Sequence, residues 1–130
     1  MDIADELRIR EVVAAYGFAV DDRDWDALAR VFTADAVVDF AGAGYAPIRG
    51  AAAIRHSYAH VMNHPEAHIL TNLVLVPGAN GAVTVRCKAL YPRAGGVCGH
   101  GEYRLTVVRG QDGWRIARMV GRSGRPPSSW

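Results

Sequence analysis

The chain has 130 residues and a formal net charge of +2, with half of its residues apolar and 22% charged. This length predicts one globular domain, which we place at residues 1–122, followed by a loose tail at 123–130. The small net charge argues against a nucleic-acid-binding protein. No window approaches the roughly 18 apolar residues that a membrane-spanning helix needs.

The two cysteines, Cys87 and Cys98, lack the spacing of a zinc or redox motif. We interpret both as small buried apolar side chains in a reducing compartment, with a disulfide as the alternative. The first residues are acidic and lack the basic and apolar segments of a secretory signal. These features together predict a cytoplasmic protein.

Apolar residues at three- and four-residue spacing predict a helix over residues 2–20. Tyr16 lies on this apolar stripe, so its phenol should point inward and need a hydrogen-bond partner. Asp21 follows the stripe directly. Asp24 can then cap a second, short helix over residues 25–32.

A third helix is predicted over residues 51–63, before Pro65 stops it. Its histidines, His56, His60 and His64, recur every four residues and could bind a metal, but no H-E-x-x-H motif accompanies them. We interpret them as a solvated face. The chain also lacks a P-loop and a dinucleotide-binding glycine motif, so neither a metal nor a cofactor is expected.

The rest of the chain predicts strands joined by tight turns, after a first turn at 33–35. The predicted strands cover residues 36–40, 45–49, 68–76, 82–91, 98–109 and 114–122. Helices followed by hairpin-linked strands indicate an α+β fold, with the helices on one face of a curved mixed or antiparallel sheet. We expect a cone-shaped barrel whose pocket suits a small apolar ligand.

His68, at the head of an apolar strand, is the candidate general base. A carboxylate on one ring nitrogen fixes the tautomer and raises the basicity of the other nitrogen, and Asp21 could supply it. Tyr16 could polarise a substrate carbonyl. The alternatives are a surface cap for Asp21, a satisfied core histidine for His68 and a core tyrosine for Tyr16.

Arg122 shares strand parity with Ile116 and Val120, so it could reach into the pocket and hold an anionic group or an enolate oxygen. A surface arginine is the alternative. His68 likewise alternates with Leu70 and Asn72, which places these side chains on one face of their strand.

These residues resemble the SnoaL-like group of the nuclear transport factor 2-like superfamily over residues 3–122. The motifs are Tyr16-x4-Asp21-x3-Trp25-Asp26-x-Leu28, Phe32-Thr33-x-Asp35-Ala36, Val38-Asp39-Phe40, His68-x3-Asn72 and Asp112-Gly113-Trp114-Arg115-Ile116. The resemblance implies a cone-shaped α+β barrel, usually dimeric, with an internal pocket. It also implies cofactor-independent acid/base chemistry in many members.

The layout resembles that of the scytalone and bile acid dehydratases of this group, which implies a catalytic aspartate at Asp21 and a catalytic histidine at His68. A tyrosine of the bile acid enzyme matches Tyr16, and an arginine matches one residue away from Arg122. Two pocket tyrosines of scytalone dehydratase fall on Phe40 and Val20, so scytalone itself is not the expected substrate.

We therefore predict a dehydratase that acts through an enolate on a small apolar, polyketide-like or steroid-like molecule, as a homodimer. A cyclase or double-bond isomerase would use the same dyad, and a non-catalytic binding module is the rival class. An epoxide hydrolase would need an arginine bridged by two aspartates deep in the pocket. Asp39 and Arg104 could supply parts of this arrangement, but the last strands offer no obvious second carboxylate. The predicted substrate contacts are Val20, Phe40, Tyr58, Met62, Leu70, Asn72, Arg104 and Arg122.

Overall fold

The computed structural model describes residues 1–126 and 128. Its helices are α1 (Ile3–Asp21), α2 (Trp25–Val31) and α3 (Ala51–His60). Its strands are β1 (Phe32–Asp39), β2 (Ile48–Arg49), β3 (Ile69–Pro77), β4 (Val83–Pro92), β5 (Cys98–Gly110) and β6 (Gly113–Ser123). The α+β class is confirmed. The predicted tail begins inside β6 and lies partly outside the described residues.

Helix α1 forms where its sequence predicts it. The Asp2 side chain caps it by accepting a hydrogen bond from the backbone N–H of Asp5 at 2.8 Å. One apolar stripe, which includes Ile9, Val13 and Val20, is fully buried against the sheet. The helix therefore packs on the core from Ile9 to Val20, while its first turns are exposed, and it ends at Asp21.

The six strands form one open sheet in the order β2-β1-β6-β5-β4-β3. Strands β1 and β6 are parallel and every other pair is antiparallel, so the sheet is mixed. Its edges, β2 and β3, do not pair with each other, so the barrel is not closed. The turn predicted at 33–35 is wrong, because these residues continue β1 through a register shift between Phe32 and Val37.

The two faces of the sheet differ in chemistry. One face, which we call the helix-covered face, carries the buried apolar side chains Val85, Cys87, Leu105 and Met119. The opposite face, the outer face, carries polar side chains at the alternate positions of the same strands. Strand β4 shows the pattern most regularly, with buried and exposed residues alternating from Val83 to Leu90.

A bulge in β3 changes which residues face inward. The pairing with β4 shifts between Thr71 and Val74, and Asn72 has a left-handed backbone with φ 58°. As a result Asn72 and Val74 are exposed, while Leu73 and Leu75 pack on the core. The expectation that Asn72 shares a face with His68 is wrong for this reason.

A second bulge lies in β6. Val107 pairs with Ile116 but Thr106 pairs with Arg118, so one extra residue, Ala117, enters the strand. Beyond it the parity reverses: Gly121 lies opposite Tyr103 on the helix-covered face. Arg122 lies opposite Glu102 on the outer face, so the predicted parity of Arg122 with Ile116 is wrong.

Smaller differences concern α3 and the cysteines. Helix α3 ends at His60, three residues before its predicted end, and Val61 is exposed. Both cysteines are free, but only Cys87 is buried; Cys98 is exposed at the start of β5, against expectation. Among the described residues, no helix has the length and apolar character to span a bilayer.

Gly121 should be essential for the packing of the helix-covered face. A Cβ at this position would overlap the ring of Phe40 and lie 3.1 Å from the ring of Tyr103. We expect Gly121→Ala to lower the free energy of unfolding by about 1–3 kcal/mol, measured by urea denaturation. Gly99→Ala is the control, since its Cβ would meet Tyr91 at an ordinary 3.5 Å. Equal stability of both variants would contradict this packing.

Candidate active site

The end of α1 meets the start of β3 through Asp21 and His68. The Nδ1–H of His68 donates to Asp21 Oδ1 at 2.7 Å, and the backbone N–H of His68 donates to Asp21 Oδ2 at 3.0 Å. Both carboxylate oxygens are thus bound to one residue, 47 positions along the chain. This double contact fixes the plane and the tautomer of the imidazole.

Arg23 connects the turn after α1 to the segment that leads into β3. Its backbone is left-handed, with φ 56°. Its guanidinium donates to the carbonyl oxygen of Val20 at 2.7 Å and to that of Pro65 at 3.3 Å. The two segments that carry Asp21 and His68 are therefore joined by a second set of hydrogen bonds.

The surroundings of His68 favour the neutral imidazole. Its side chain is 5% exposed, and burial lowers its pKa from the ordinary 6.5. Asp21 opposes this shift through its hydrogen bond and charge, while the positive charges of Arg23 and Arg93 add to it. At neutral pH the ring therefore holds one proton on Nδ1. The Nε2 atom is unprotonated and can act as a base.

Buried phenols lie beside the imidazole. Tyr16, which is 1% exposed, finds the partner its position requires: its hydroxyl lies 2.8 Å from that of Tyr58. The Tyr16 ring makes edge contacts with His68 at 6.0 Å and with Tyr103 at 6.3 Å between centroids. Burial raises the pKa of all three phenols well above 10, so each remains a proton donor.

A cavity of about 350 Å³ opens next to this cluster. Aromatic and apolar side chains form most of its wall, and two arginines border it. Its lining comprises Phe40, Ala43, Tyr45, Met62, Asn63, Pro65, Tyr91, Arg93, Tyr103, Gly121, Arg122 and Ser123. The volume suits a ligand of two or three fused rings.

His68 and Asp21 do not line this cavity. The imidazole makes an edge contact with the ring of Tyr91 at 5.8 Å, and Tyr91 lines the cavity. The dyad also borders a groove of about 260 Å³ between α1 and β3, together with Phe18 and Leu70. Because Nδ1 points to Asp21, Nε2 lies on the side of the ring away from that carboxylate.

The predicted substrate contacts separate into three groups. Phe40, Met62 and Arg122 border the cavity, although Arg122 also borders a hollow on the outer face. Val20 and Tyr58 are fully buried core residues and do not line the cavity.

Leu70, Asn72 and Arg104 lie outside the cavity. Leu70 borders the groove beside the dyad, and Asn72 is exposed at the bulge in β3. Arg104 lies on the outer face, 3.7 Å from the buried carboxylate of Glu102. The predicted contact from Arg104 is wrong because its strand parity directs it away from the helices.

Glu102 organises the outer face. Its side chain is fully buried, and it accepts hydrogen bonds from Arg86 at 2.9 Å and from Lys88 at 3.1 Å. The bond from Arg86 is the largest cause that lowers its pKa. Asp39 and Arg104 border a hollow on this same face, so they do not form the arrangement that an epoxide hydrolase would need within the cavity.

The three predicted surface histidines behave differently. His56 and His60 are exposed on α3, with their rings 5.0 Å apart. His64 lies beyond the helix, where its Nε2 is 2.7 Å from the carbonyl oxygen of Tyr58 and its ring stacks on that of Tyr58. The described residues contain no group of three or more side chains placed to hold a metal ion.

Sequence reasoning missed Tyr91, Tyr103 and Arg93. Tyr91 shares strand parity with Cys87 in β4, and Tyr103 shares parity with Leu105 in β5. Both parities could have placed these tyrosines on the helix-covered face. No local pattern indicates Arg93, which reaches the cavity from the turn between β4 and β5.

Comparisons with known proteins agree with this architecture. Residues 1–120 match the family model of the SnoaL-like domain. An uncharacterized protein of Mycobacterium tuberculosis is 36% identical over 127 residues, covering 92% of this chain and 85% of its own. A structure from Novosphingobium aromaticivorans, named as a candidate aromatic ring hydroxylase, is 33% identical with a TM-score of 0.81, covering 97% of this chain and 93% of its own.

A second structure from the same organism, named as a candidate scytalone dehydratase, has a TM-score of 0.78. It covers 95% of this chain and 86% of its own at 18% identity, which shows a shared fold.

The Asp21 contact should be visible in the titration of His68. We expect NMR to give His68 a pKa below 6.5, because burial disfavours its charged form. In Asp21→Asn the pKa should fall further, because the carboxylate that favours the imidazolium is removed. Asp22→Asn, at an exposed neighbour, should leave the titration unchanged. A pKa that rises in Asp21→Asn would contradict the assigned contact.

Proposed function

The chain belongs to the SnoaL-like family, which includes dehydratases and polyketide cyclases, and we propose that it is a cofactor-independent acid/base enzyme of the dehydratase type. The observation that carries this proposal is the contact of His68 with Asp21 beside buried phenols and an aromatic cavity. The substrate class we propose is a small, largely apolar β-hydroxy ketone.

In the proposed reaction, His68 Nε2 removes a proton from the carbon next to the carbonyl. The electron pair of that C–H bond moves into an enolate, and Asp21 stabilises the imidazolium that forms. The C–O bond at the β-carbon then breaks. The proton held on Nε2 passes to the departing oxygen, so water leaves and His68 returns to its neutral form.

The phenols are the proposed donors to the enolate oxygen. Tyr91 and Tyr103 line the cavity, and burial raises the pKa of both, so they stay protonated. Tyr16 does not line the cavity, but its ring contacts that of Tyr103 and its hydroxyl is bound to that of Tyr58, so we assign it a supporting role. Donors held in a dry site stabilise a developing oxyanion more strongly than water does. The substrate must approach Nε2 past the ring of Tyr91.

Cyclisation and double-bond isomerisation share the same enolate, so a polyketide cyclase or an isomerase uses the same dyad in the same roles. The choice depends on the substrate. A β-hydroxyl gives elimination, a second carbonyl within reach gives ring closure, and a neighbouring double bond gives isomerisation.

A non-catalytic binding module is the second candidate function, and one observation favours it. Neither His68 nor Asp21 lines the cavity, so a ligand could fill the cavity without touching the dyad. In that case the Asp21 contact would serve to hold β3 against α1. Ligand binding without proton transfer is the signature of this candidate.

We also propose a cytoplasmic homodimer. Two free cysteines in the described residues fit a reducing compartment. The outer face of the sheet combines exposed apolar side chains, including Val74, Val76 and Leu90, with its charged cluster, and could serve as a subunit interface.

Proton abstraction by His68 can be tested on α-tetralone and its β-hydroxy derivative. We expect the enzyme to exchange the α-protons of α-tetralone with deuterated water, followed by NMR, and to convert the β-hydroxy ketone to naphthol, followed by absorbance. His68→Ala should reduce both rates by about 10²–10⁴-fold, and Asp21→Asn should also reduce both.

His60→Ala and Asp22→Asn are the matched controls, because both residues are exposed and lie outside the dyad. Exchange that survives unchanged in His68→Ala would remove the acid/base assignment. Binding of the ketones to the wild-type protein with no exchange at all would instead favour the binding module.

A further inference from the structure

The charged side chains in the cavity wall are all positive. Its twelve lining residues include two arginines, Arg93 and Arg122, and no carboxylate within the described part of the chain. Arg122 also reaches the outer face, where it lies opposite Glu102 in the sheet. Of the two arginines, Arg93 is the one that does not border the hollow on the outer face.

The backbone of Arg93 is anchored although its side chain is exposed. Its N–H donates to the carbonyl oxygen of Val97 at 2.8 Å, which closes the turn between β4 and β5. The neighbouring Pro92 accepts a hydrogen bond from the backbone N–H of Glu66 at 2.9 Å. These bonds hold the turn at the cavity mouth, so the guanidinium extends from a fixed point.

The positive charge of Arg93 influences the titratable groups of the site. Burial is the main cause that lowers the pKa of His64 and His68, and the positive charge of Arg93 contributes in the same direction to both. The same charge acts on the Tyr91 phenol. An anion bound at Arg93 would consequently lie within electrostatic reach of the dyad.

Glu66 is the acid that could neutralise Arg93. Both residues border a neighbouring hollow on the other side of the turn. Among the described residues, however, the ion pairs do not include one between Glu66 and Arg93. The charge of the Arg93 guanidinium is thus not paired with Glu66, and it can bind an anionic ligand at the cavity mouth.

We propose that the cavity selects aromatic ligands that carry a carboxylate, and that Arg93 is the residue that determines this specificity. The fused rings lie against Phe40, Tyr91 and Tyr103, and the carboxylate lies at the mouth against Arg93. That this ligand is a substrate rests on the proposed function. A guanidinium matches a carboxylate with two parallel N–H donors, which a neutral amide cannot replace.

The test is calorimetric binding of two probes with the same ring system, naphthoate and naphthamide. We expect the wild-type protein to bind naphthoate about fivefold to tenfold more tightly. Arg93→Ala should remove this preference while retaining the affinity for naphthamide, and Arg93→Lys should keep part of it. Glu66→Gln should enlarge it, since this removes the acid that borders the same hollow as Arg93.

Arg30→Ala is the control, because it removes the same charge from an exposed position on α2. Equal affinity for the two probes, a preference that survives in Arg93→Ala, or no binding of either probe at millimolar concentration would each overturn the proposal.

His68→Ala separates this inference from the proposed chemistry. The variant should keep the preference for naphthoate, because the dyad does not hold the carboxylate. A wild-type protein that shows the preference but exchanges no α-protons would contradict the dyad mechanism alone. Exchange without the preference would contradict the role of Arg93 alone.

Discussion

The two hydrogen bonds that Asp21 accepts from His68 are the constraint on which the site depends. They join the last residue of α1 to the residue before β3, and they use both carboxylate oxygens. One bond fixes the backbone at the strand entry and the other fixes the imidazole. The contact that would orient a base is thus also the contact that positions an edge strand against the core.

Burial gives the site its protonation pattern. It lowers the pKa of His68 and raises the pKa of Tyr16, Tyr91 and Tyr103, because charge is disfavoured in each case. The result at neutral pH is a neutral base beside protonated phenols. This is the protonation pattern that proton removal next to a carbonyl requires.

Two bulges decide which side chains reach the site. The bulge at Asn72 turns one predicted contact to solvent, and the bulge at Ala117 exchanges Arg122 for Gly121 on the helix-covered face. The missing side chain of Gly121 is what leaves room for the Phe40 ring. Simple alternation along the sequence does not predict the inward-facing side chains at these points. Each extra residue in a strand moves all the side chains after it to the opposite face of the sheet.

The sequence by itself determined the order and type of the main elements, the cap of α2 at Asp24, and the inward direction of Tyr16. These follow from local periodicity and from the hydrogen-bonding needs of nearby groups. It also indicated Asp21 and His68 as partners, through residue chemistry and family resemblance. Only the tertiary structure decided that the dyad lies behind Tyr91, and that Arg93 borders the cavity. Those facts depend on strand register and on how α1 packs, and both are set by contacts between segments far apart in the chain.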